Sequence, residues 1–379
     1  MVLFRPMRVG PVTVTGRIAR SATGERASDG QGRPGEVLRG IYLALARGGA
    51  PWINTGGAYV LPNGRSGPTQ NGIQSDELVP AWRGITDAVH RQAPEVKLFL
   101  QIVHGGRQVA AECVAEPVAP SAVPVKSSGL RPREMTKREI EETIQAFGEA
   151  ARRAREAGFD GVQLHCAHGY LLSQFLSPYT NRRVDEWGGT PERRRRFVVE
   201  ALRCVRAAAG PNVAVTAKLN GEDFVQDGLS LAESCAAAKA LAAEGIDAIE
   251  VSGFSADGDG RYAPCRKGDP RPQEESYYLS QAVEIKRAAG VVPVGACGGF
   301  RSYDVMSRAL EADGLDFVAA SRPFIAEPDL VRRLAAGQGR AACISCNECL
   351  ARPDVPIQCP LMADGRLKSP PTPGVFSSK

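Results

Sequence analysis

Short runs of β-branched and other apolar residues alternate with longer helical patterns along most of this chain. Such alternation is typical of repeated strand and helix units that form a parallel sheet. The predicted strands are Arg17–Ala22, Trp52–Thr55, Lys97–Val103, Gly161–His165, Val213–Leu219, Ala248–Val251, Val292–Ala296 and Phe317–Ala320. Eight parallel strands predict a (β/α)8 TIM barrel of the α/β class, in one domain with a short cysteine-containing C-terminal extension.

Two of the intervening helices carry complete start signals. Thr136 with Glu139, and Ser230 with Glu233, have the spacing of a capping box, in which two side chains satisfy each other's backbone N–H groups. A glycine ends each pattern, as expected at a helix C-terminus. We interpret both segments as crossover helices between parallel strands.

A doubly wound sheet is the main alternative fold. It normally has a G-x-G-x-x-G turn after its first strand, whereas the first predicted strand here leads into Thr23-Gly24-Glu25. The sequence therefore favours the barrel.

The composition excludes several classes of protein. The chain is 43% hydrophobic and 23% charged, which is enough to bury a core and excludes disorder for most of its length. A formal net charge of +5 without a like-charge tail predicts no nucleic-acid partner. No stretch approaches the roughly 18 apolar residues of a spanning helix, and the first residues lack the pattern of a signal peptide. We therefore expect a cytoplasmic protein that does not bind membranes.

Four of the ten cysteines lie close together in the sequence, at Cys343, Cys346, Cys349 and Cys359. This spacing is typical of a metal or cluster site in a reducing compartment rather than of a secreted disulfide framework. We assign residues 1–336 to the barrel and residues 337–379 to a cysteine-rich extension. Its Pro/Ser/Lys-rich end, residues 365–379, is expected to form a flexible tail.

The end of the fourth predicted strand contains the strongest chemical signal. His165, His168 and Tyr170 fall within six residues, at the edge where barrel enzymes place their active sites. Two imidazoles can donate hydrogen bonds to a carbonyl oxygen, and a phenol can deliver a proton to carbon. The alternatives are histidines of the core or of a zinc site, although the segment offers no obvious third ligand.

Two further strands place polar side chains at the same edge. Gln101 comes near the end of the third strand, followed by His104 and glycines that allow close approach of a flat polar ligand. Lys218 interrupts the apolar fifth strand, and a buried lysine requires a partner anion or an electron-rich ligand. A structural ion pair therefore stays open for Lys218.

The last two strands are followed by a pattern that predicts phosphate binding. Gly298 and Gly299 follow the seventh strand, and Ser321 and Arg322 follow the eighth, which is the usual phosphate site of a TIM barrel. A phosphorylated cofactor is therefore expected. Taken alone, this signal also fits an aldolase or an isomerase that acts on phosphorylated sugars.

Together these motifs resemble the Old Yellow Enzyme family of FMN-dependent oxidoreductases, in particular the branch close to the 2,4-dienoyl-CoA reductases. The main matching blocks are 165–172 (HCAHGYLL), 175–178 (FLSP), 181–183 (NRR) and 185–189 (DEWGG). Supporting blocks are 20–23 (RSAT), 55–58 (TGGA), 101–107 (QIVHGGR), 322–324 (RPF) and 328–330 (PDL). The resemblance covers most of the chain and implies the same barrel.

The resemblance implies FMN as cofactor and suggests its contacts. Gln101 would bond the pyrimidine edge of the flavin, and Lys218 would lie near N1 and the C2 oxygen, where it would stabilise the negative charge of the reduced ring. The remaining implied contacts are Ala22, Thr23 and Gly57 with the isoalloxazine, and Gly298, Gly299, Ser321 and Arg322 with the phosphate.

The resemblance also implies an ene-reductase that uses NAD(P)H and a small-molecule enone or enoyl substrate. His165 and His168 would hold the carbonyl oxygen, and Tyr170 would protonate the α-carbon after hydride reaches the β-carbon. The alternatives are a flavin dehydrogenase of the trimethylamine dehydrogenase type that passes electrons to a partner, and a redox carrier without its own substrate. Tyr170 argues against the first alternative, and the three side chains together argue against the second. Relatives are often homo-oligomers, so we expect one here.

For the cysteines, the resemblance points to a 4Fe-4S cluster, which a similar C-x-x-C-N segment binds in the dienoyl-CoA reductase branch. Here the spacing before the third cysteine is one residue shorter than in that branch. A 4Fe-4S cluster, a structural zinc and no metal all stay open for Cys343, Cys346, Cys349 and Cys359.

Overall fold

The computed structural model describes residues 1–352 and 355–369. Its strands are β1 (Met7–Val9), β2 (Val12–Val14), β3 (Ile18–Arg20), β4 (Trp52–Asn54), β5 (Ala58–Tyr59), β6 (Lys97–Val103), β7 (Val118–Ala119), β8 (Arg133–Glu134), β9 (Gly161–Cys166), β10 (Ala214–Asn220), β11 (Ala248–Ser252), β12 (Val294–Cys297) and β13 (Phe317–Ala320). Its α-helices are α1 (Glu36–Arg47), α2 (Val79–Gln92), α3 (Lys137–Glu156), α4 (Leu171–Leu176), α5 (Pro191–Ala209), α6 (Leu231–Ala243), α7 (Leu279–Ala289), α8 (Tyr303–Glu311), α9 (Arg322–Ala326), α10 (Leu330–Ala335) and α11 (Pro360–Ala363).

Eight parallel strands form a closed barrel. The order is β3, β4, β6, β9, β10, β11, β12 and β13, and β13 pairs with β3 through Ala320 and Arg20 to close the ring. Helices connect the strands and pack on the outside of the ring. The predicted (β/α)8 barrel is therefore confirmed, and closure excludes the open doubly wound sheet.

Most predicted elements lie where the sequence placed them. Lys97–Val103 and Phe317–Ala320 match to the residue, and every other predicted barrel strand agrees within two residues at each end. The capping boxes at Thr136 and Ser230 are both present and start α3 and α6. The hairpin of β1 and β2 was not predicted, because strands of three residues are too short to show a period.

Large side chains fill the amino-terminal end of the barrel. The ring of Trp52 packs against those of Phe99 and Phe317, with centroid distances of 5.1 and 4.8 Å. Val9 and Val14 of the hairpin are fully buried in the same cluster. This end is therefore closed, and the carboxyl ends of the strands are left for a ligand.

The first part of the C-terminal extension packs against the carboxyl-end loops of the barrel. Ala341 N–H donates to Arg301 O at 2.9 Å, and the Arg301 guanidinium donates to Cys343 O at 3.1 Å. The predicted domain boundary at residue 336 stays a prediction. Of the predicted tail, residues 370–379 lie outside the described residues.

None of the helices within the described residues is long and apolar enough to cross a membrane.

Candidate active site

Two adjoining cavities lie at the carboxyl ends of the barrel strands, with volumes of about 200 Å³ and about 400 Å³. Both are lined by Ala22, Thr23 and His168. The first is also lined by Lys218, Gly298, Gly299, Ser321 and Arg322, and the second by Gly57, Gln101, His165 and Tyr170. Every residue predicted to contact flavin or substrate therefore lines one of two connected spaces. Together these spaces fall within the roughly 300–1,000 Å³ of ligand pockets.

The two histidines and the tyrosine form one aromatic cluster after β9. The ring centroid of His165 lies 5.1 Å from that of His168 and 4.9 Å from that of Tyr170. His168 has a left-handed backbone (φ +61°), stabilised by its N–H, which donates to the Asn220 side chain at 3.0 Å. Such strain is typical of functional sites.

Part of this cluster lacks a protein partner. The Nδ1 atom of His165 is buried without a hydrogen-bond partner. The hydroxyl of the half-buried Tyr170 forms no hydrogen bond with any described residue. The Nε2 atom of His168 lies 2.6 Å from the Ser252 hydroxyl. Because buried polar atoms are normally satisfied, the cluster fits a site that a polar ligand completes.

Burial keeps all three side chains uncharged. Burial, the neighbouring His168 and Lys218 hold the pKa of His165 well below its usual 6.5, and burial lowers the pKa of His168 to about 3. Burial also raises the pKa of Tyr170 above 10.0. At neutral pH the cluster therefore offers neutral hydrogen-bond donors and a protonated phenol.

A buried polar network lies in the barrel interior beside this cluster. Lys218 Nζ is 3.2 Å from Glu250 Oε1 and donates to the Ser21 hydroxyl at 2.8 Å. Glu250 accepts from Gln163 at 3.0 Å, and Gln163 accepts from Gln101 at 2.8 Å. The structural ion pair left open for Lys218 is thus present, and Lys218 also lines the first cavity.

Strand register brings these side chains together. Lys218 is paired across the sheet with both His165 and Glu250, and Gln101 is paired with Gln163. Neighbouring strands lie about 4.8 Å apart, so paired side chains on the same face are within bonding reach.

The two glycines of the predicted phosphate site are required by geometry. Gly298 and Gly299 have φ of +99° and +84°, and a Cβ at Gly299 would lie 2.5 Å from the Tyr277 ring. The backbone N–H groups of Gly299, Ser321 and Arg322 have no hydrogen-bond partner in the described part of the chain. Unpaired N–H groups beside a guanidinium form a suitable cradle for a phosphate dianion.

The position of Gly57 also fits a flat ligand. A Cβ there would lie 2.9 Å from Val103 Cγ1 and 3.3 Å from Gln101 Oε1, so glycine allows close approach of its backbone. Gln101 donates its Nε2 to Gln163, which leaves Oε1 directed toward Gly57. The arrangement fits the donor N–H of a flavin pyrimidine ring.

Glu25 holds the loops that carry these backbone contacts. Its carboxylate pairs with Arg20 at 3.0 Å and accepts from Gly56 N–H at 2.9 Å and from the Tyr42 hydroxyl at 2.7 Å. Glu25 is 1% exposed, so these partners compensate a fully buried charge. The loop containing Ala22 is thereby fixed to the loop containing Gly57.

Sequence reasoning missed Glu25, Gln163 and Glu250. Gln163 and Glu250 carried a usable signal, because each is a polar residue inside a buried strand, as Lys218 is. Glu25 follows β3 in a loop, and nothing local shows that it is buried.

The four predicted metal ligands face one small cavity. Cys343, Cys346, Cys349 and Cys359 line a space of about 10 Å³, the size of a single water molecule. Burial and the Cys343 thiol raise the pKa of Cys349 to about 11. Within residues 1–352 and 355–369, no three His, Cys, Asp or Glu side chains are close enough to hold a metal ion. The four thiols line one space, but in the described residues they are not close enough together to bind a metal ion. The 4Fe-4S cluster and the zinc therefore stay predictions.

Comparison with known proteins gives consistent matches along the chain. A sequence model of the NADH:flavin oxidoreductase / NADH oxidase family matches residues 2–340. An NADH oxidase from Thermoanaerobacter brockii is 35% identical over 350 residues, covering 91% of this chain and 52% of that protein. An NADPH dehydrogenase from Geobacillus sp. (strain WCH70) is 34% identical, covering 86% of this chain and 92% of that protein.

A solved structure of an old yellow enzyme homologue from Zymomonas mobilis superposes with a TM-score of 0.75 and 28% identity, covering 91% of this chain and 96% of that one. This chain therefore spans about half the length of the Thermoanaerobacter relative and nearly all of the other two proteins.

The buried ion pair makes a testable stability prediction. Lys218→Met leaves the Glu250 carboxylate buried without its cation, so we expect a loss of about 3–5 kcal/mol in the free energy of unfolding, measured by denaturant titration. Lys218→Met/Glu250→Gln should recover part of that loss, because the uncompensated charge is gone. Lys286→Met, whose pair with Asp316 is about a quarter exposed, is the matched control and should cost at most about 1 kcal/mol. A double variant as unstable as the sum of its single variants would contradict the coupling.

Proposed function

Because this chain belongs to the NADH:flavin oxidoreductase / NADH oxidase family, we propose that it is an FMN-dependent NAD(P)H oxidoreductase that reduces the C=C bond of α,β-unsaturated carbonyl compounds. The observation that carries the proposal is the cluster of His165, His168 and Tyr170 in a cavity that also contains Gly57 and Gln101. Hydrogen-bond donors and a proton donor thus face the space suited to a flat cofactor.

Residues of the two cavities would hold the two ends of FMN. Gly299, Ser321 and Arg322 offer N–H groups and a guanidinium to the phosphate, and Gln101 offers an amide to the pyrimidine edge. When bound, FMN supplies hydride transfer between a nicotinamide and a carbon substrate. The first cavity would hold the phosphate end, and the second would hold the ring together with the substrate.

Lys218 supplies positive charge beside that ring. Its ammonium group is fixed by Ser21 and Glu250, so it is oriented before any ligand binds. The nearby carboxylate of Glu250 offsets part of the charge that Lys218 presents. We infer that Lys218 acts mainly as an oriented hydrogen-bond donor to an electron-rich ring edge.

His165 and His168 would bind the substrate carbonyl oxygen. As neutral imidazoles they donate hydrogen bonds without carrying charge into a buried site, and polarisation of the carbonyl makes the β-carbon electrophilic. The Tyr170 hydroxyl would then give its proton to the α-carbon, and solvent would reprotonate the phenolate. The substrate gains one hydride and one proton, which completes reduction of the double bond.

The predicted cytoplasmic location and homo-oligomeric state stay predictions. The choice between NADH and NADPH is also open, since one relative is named for NADH and another for NADPH.

Tyr170→Phe tests the proton donor. We expect the reduction of bound flavin by NADPH to keep its rate, and the reoxidation of reduced flavin by 2-cyclohexenone to slow about a hundredfold or more, because the phenol proton is missing. Stopped-flow absorbance measures the two half-reactions separately. Tyr303→Phe, which removes a phenol packed on Phe4 away from the site, is the control and should change neither rate. Equal rates in Tyr170→Phe and the control would rule out the assignment.

The pKa shifts predict how the enone half-reaction depends on pH. The pKa values of His165 and His168 are lowered, so both imidazoles are already neutral above about pH 6. The pKa of Tyr170 is raised, so the phenol stays protonated beyond its usual range. We therefore expect the single-turnover rate to be flat between about pH 6 and pH 9. A transition near pH 6.5 would show that a histidine titrates and would contradict this account.

A further inference from the structure

A separate cleft, of about 610 Å³, is lined by the loops that follow β9, β10 and β11 and by Lys126, which lies between β7 and β8. Its lining is Lys126, Pro178, Tyr179, Arg182, Phe224, Val225, Gln226, Asp227, Asp257 and Asp259. The aromatic rings and basic side chains of this cleft play no part in the chemistry proposed above.

The charges of the cleft are unequally compensated. Asp257 pairs with Arg107 at 2.6 Å in a fully buried contact, and Asp259 pairs with Arg261 at 2.5 Å. Lys126 and Arg182 are exposed and form no ion pair with any described residue. Of the three carboxylates that line the cleft, only Asp227 has no ion pair among the described residues. The two unpaired cations therefore outnumber the one unpaired carboxylate, and the net charge of these side chains is positive.

The side chains of Lys126 and Arg182 both lie near the ring of Tyr179. Lys126 Nζ lies 5.6 Å from the centre of its ring, and the Arg182 guanidinium carbon lies 5.9 Å from it. The Arg182 Nε also donates to the Tyr179 carbonyl at 3.3 Å. Cation–π contacts of this kind orient the two cations. Among the described residues, the Lys126 ammonium and the two terminal nitrogens of Arg182 donate no hydrogen bond.

One loop separates the cleft from the active site. Asp257 and Asp259 line the cleft, while Ser255 in the same loop would lie 3.2 Å from a Cβ at Gly169. The Phe254 carbonyl accepts from Asn220, which also holds the His168 backbone. Ser255 and Asp257 are two residues apart, a separation of at most about 7 Å. This is short compared with a dinucleotide or a coenzyme A thioester that reacts beside His168.

We propose that Lys126 and Arg182 bind the phosphate monoester on the ribose of an adenine nucleotide whose reactive end enters the active site. Two oriented cations match a dianion, and a guanidinium is suited to two-point contact with phosphate. Phe224, which stacks on Tyr262 at 4.4 Å, adds an aromatic wall to the same cleft. NADPH carries such a phosphate at the 2′ position, and a coenzyme A thioester carries one at the 3′ position. The inference rests on the proposed function, which requires a nicotinamide donor at this site.

The test compares the wild type with Lys126→Ala, Arg182→Ala and the double variant. We expect the ratio of kcat/KM for NADPH to kcat/KM for NADH to fall about tenfold in each single variant and further in the double variant, because each removes a charged phosphate contact. Arg138→Ala, which removes an exposed cation on α3, is the matched control and should leave the ratio unchanged. Flavin reduction by NADH, measured in the same proteins, reports on the proposed function independently.

Inhibition separates the two sources of phosphate. Stronger inhibition by 2′,5′-ADP than by 5′-AMP, reduced in Arg182→Ala, supports NADPH as the ligand. Stronger inhibition by 3′,5′-ADP, reduced in the same variant, supports a coenzyme A thioester at the same site. Equal inhibition by all three nucleotides, with an unchanged cofactor ratio in the double variant, would overturn the proposal.

Discussion

The buried ion pair of Lys218 and Glu250 organises the centre of this barrel. Two charges in a low-dielectric interior are costly unless every partner is in place, and here Ser21 and Gln163 complete the set. These four residues lie on or next to four strands of the ring, and Gln101 extends the network to a fifth. The strands are thus fixed relative to one another at the level of the site, so the site is formed before a ligand arrives.

At the rim of the site, the buried carboxylate of Glu25 likewise connects neighbouring loops through its hydrogen bonds. Glu25 joins the loops after β3 and β4, and its backbone carbonyl accepts from Ile357 N–H at 2.8 Å. Asn347, inside the cysteine segment, accepts from Arg322 at 2.5 Å and donates to Cys265 O at 2.7 Å. The C-terminal extension therefore contacts both ends of the two-cavity site. Asn347 thus links the cysteine segment to Arg322, one of the residues predicted to bind the cofactor phosphate.

The fold and the family were predictable from the sequence because both depend on local signals. Strand and helix periods, capping boxes and glycine turns act over a few residues, and the block around His165 and Tyr170 is specific enough to identify relatives. Glu25 and the partners of Lys218 were missed, because their roles depend on strand register and closure of the ring. The cleft around Tyr179 was missed for the same reason, since loops distant in sequence form it. Whether the four cysteines bind a metal depends on the distances between their thiols, and the spacing of cysteines in the sequence does not determine those distances.

In the proposed reaction, FMN bound in the two cavities is reduced by a nicotinamide donor and reoxidised by an enone. The most direct measurement is the visible absorption spectrum of the purified protein under anaerobic conditions, recorded before and after NADPH and again after 2-cyclohexenone. We expect a flavin spectrum that bleaches with NADPH and returns with the enone. Absence of a flavin spectrum, even after incubation with FMN, would contradict it and favour a barrel enzyme that acts on phosphorylated substrates.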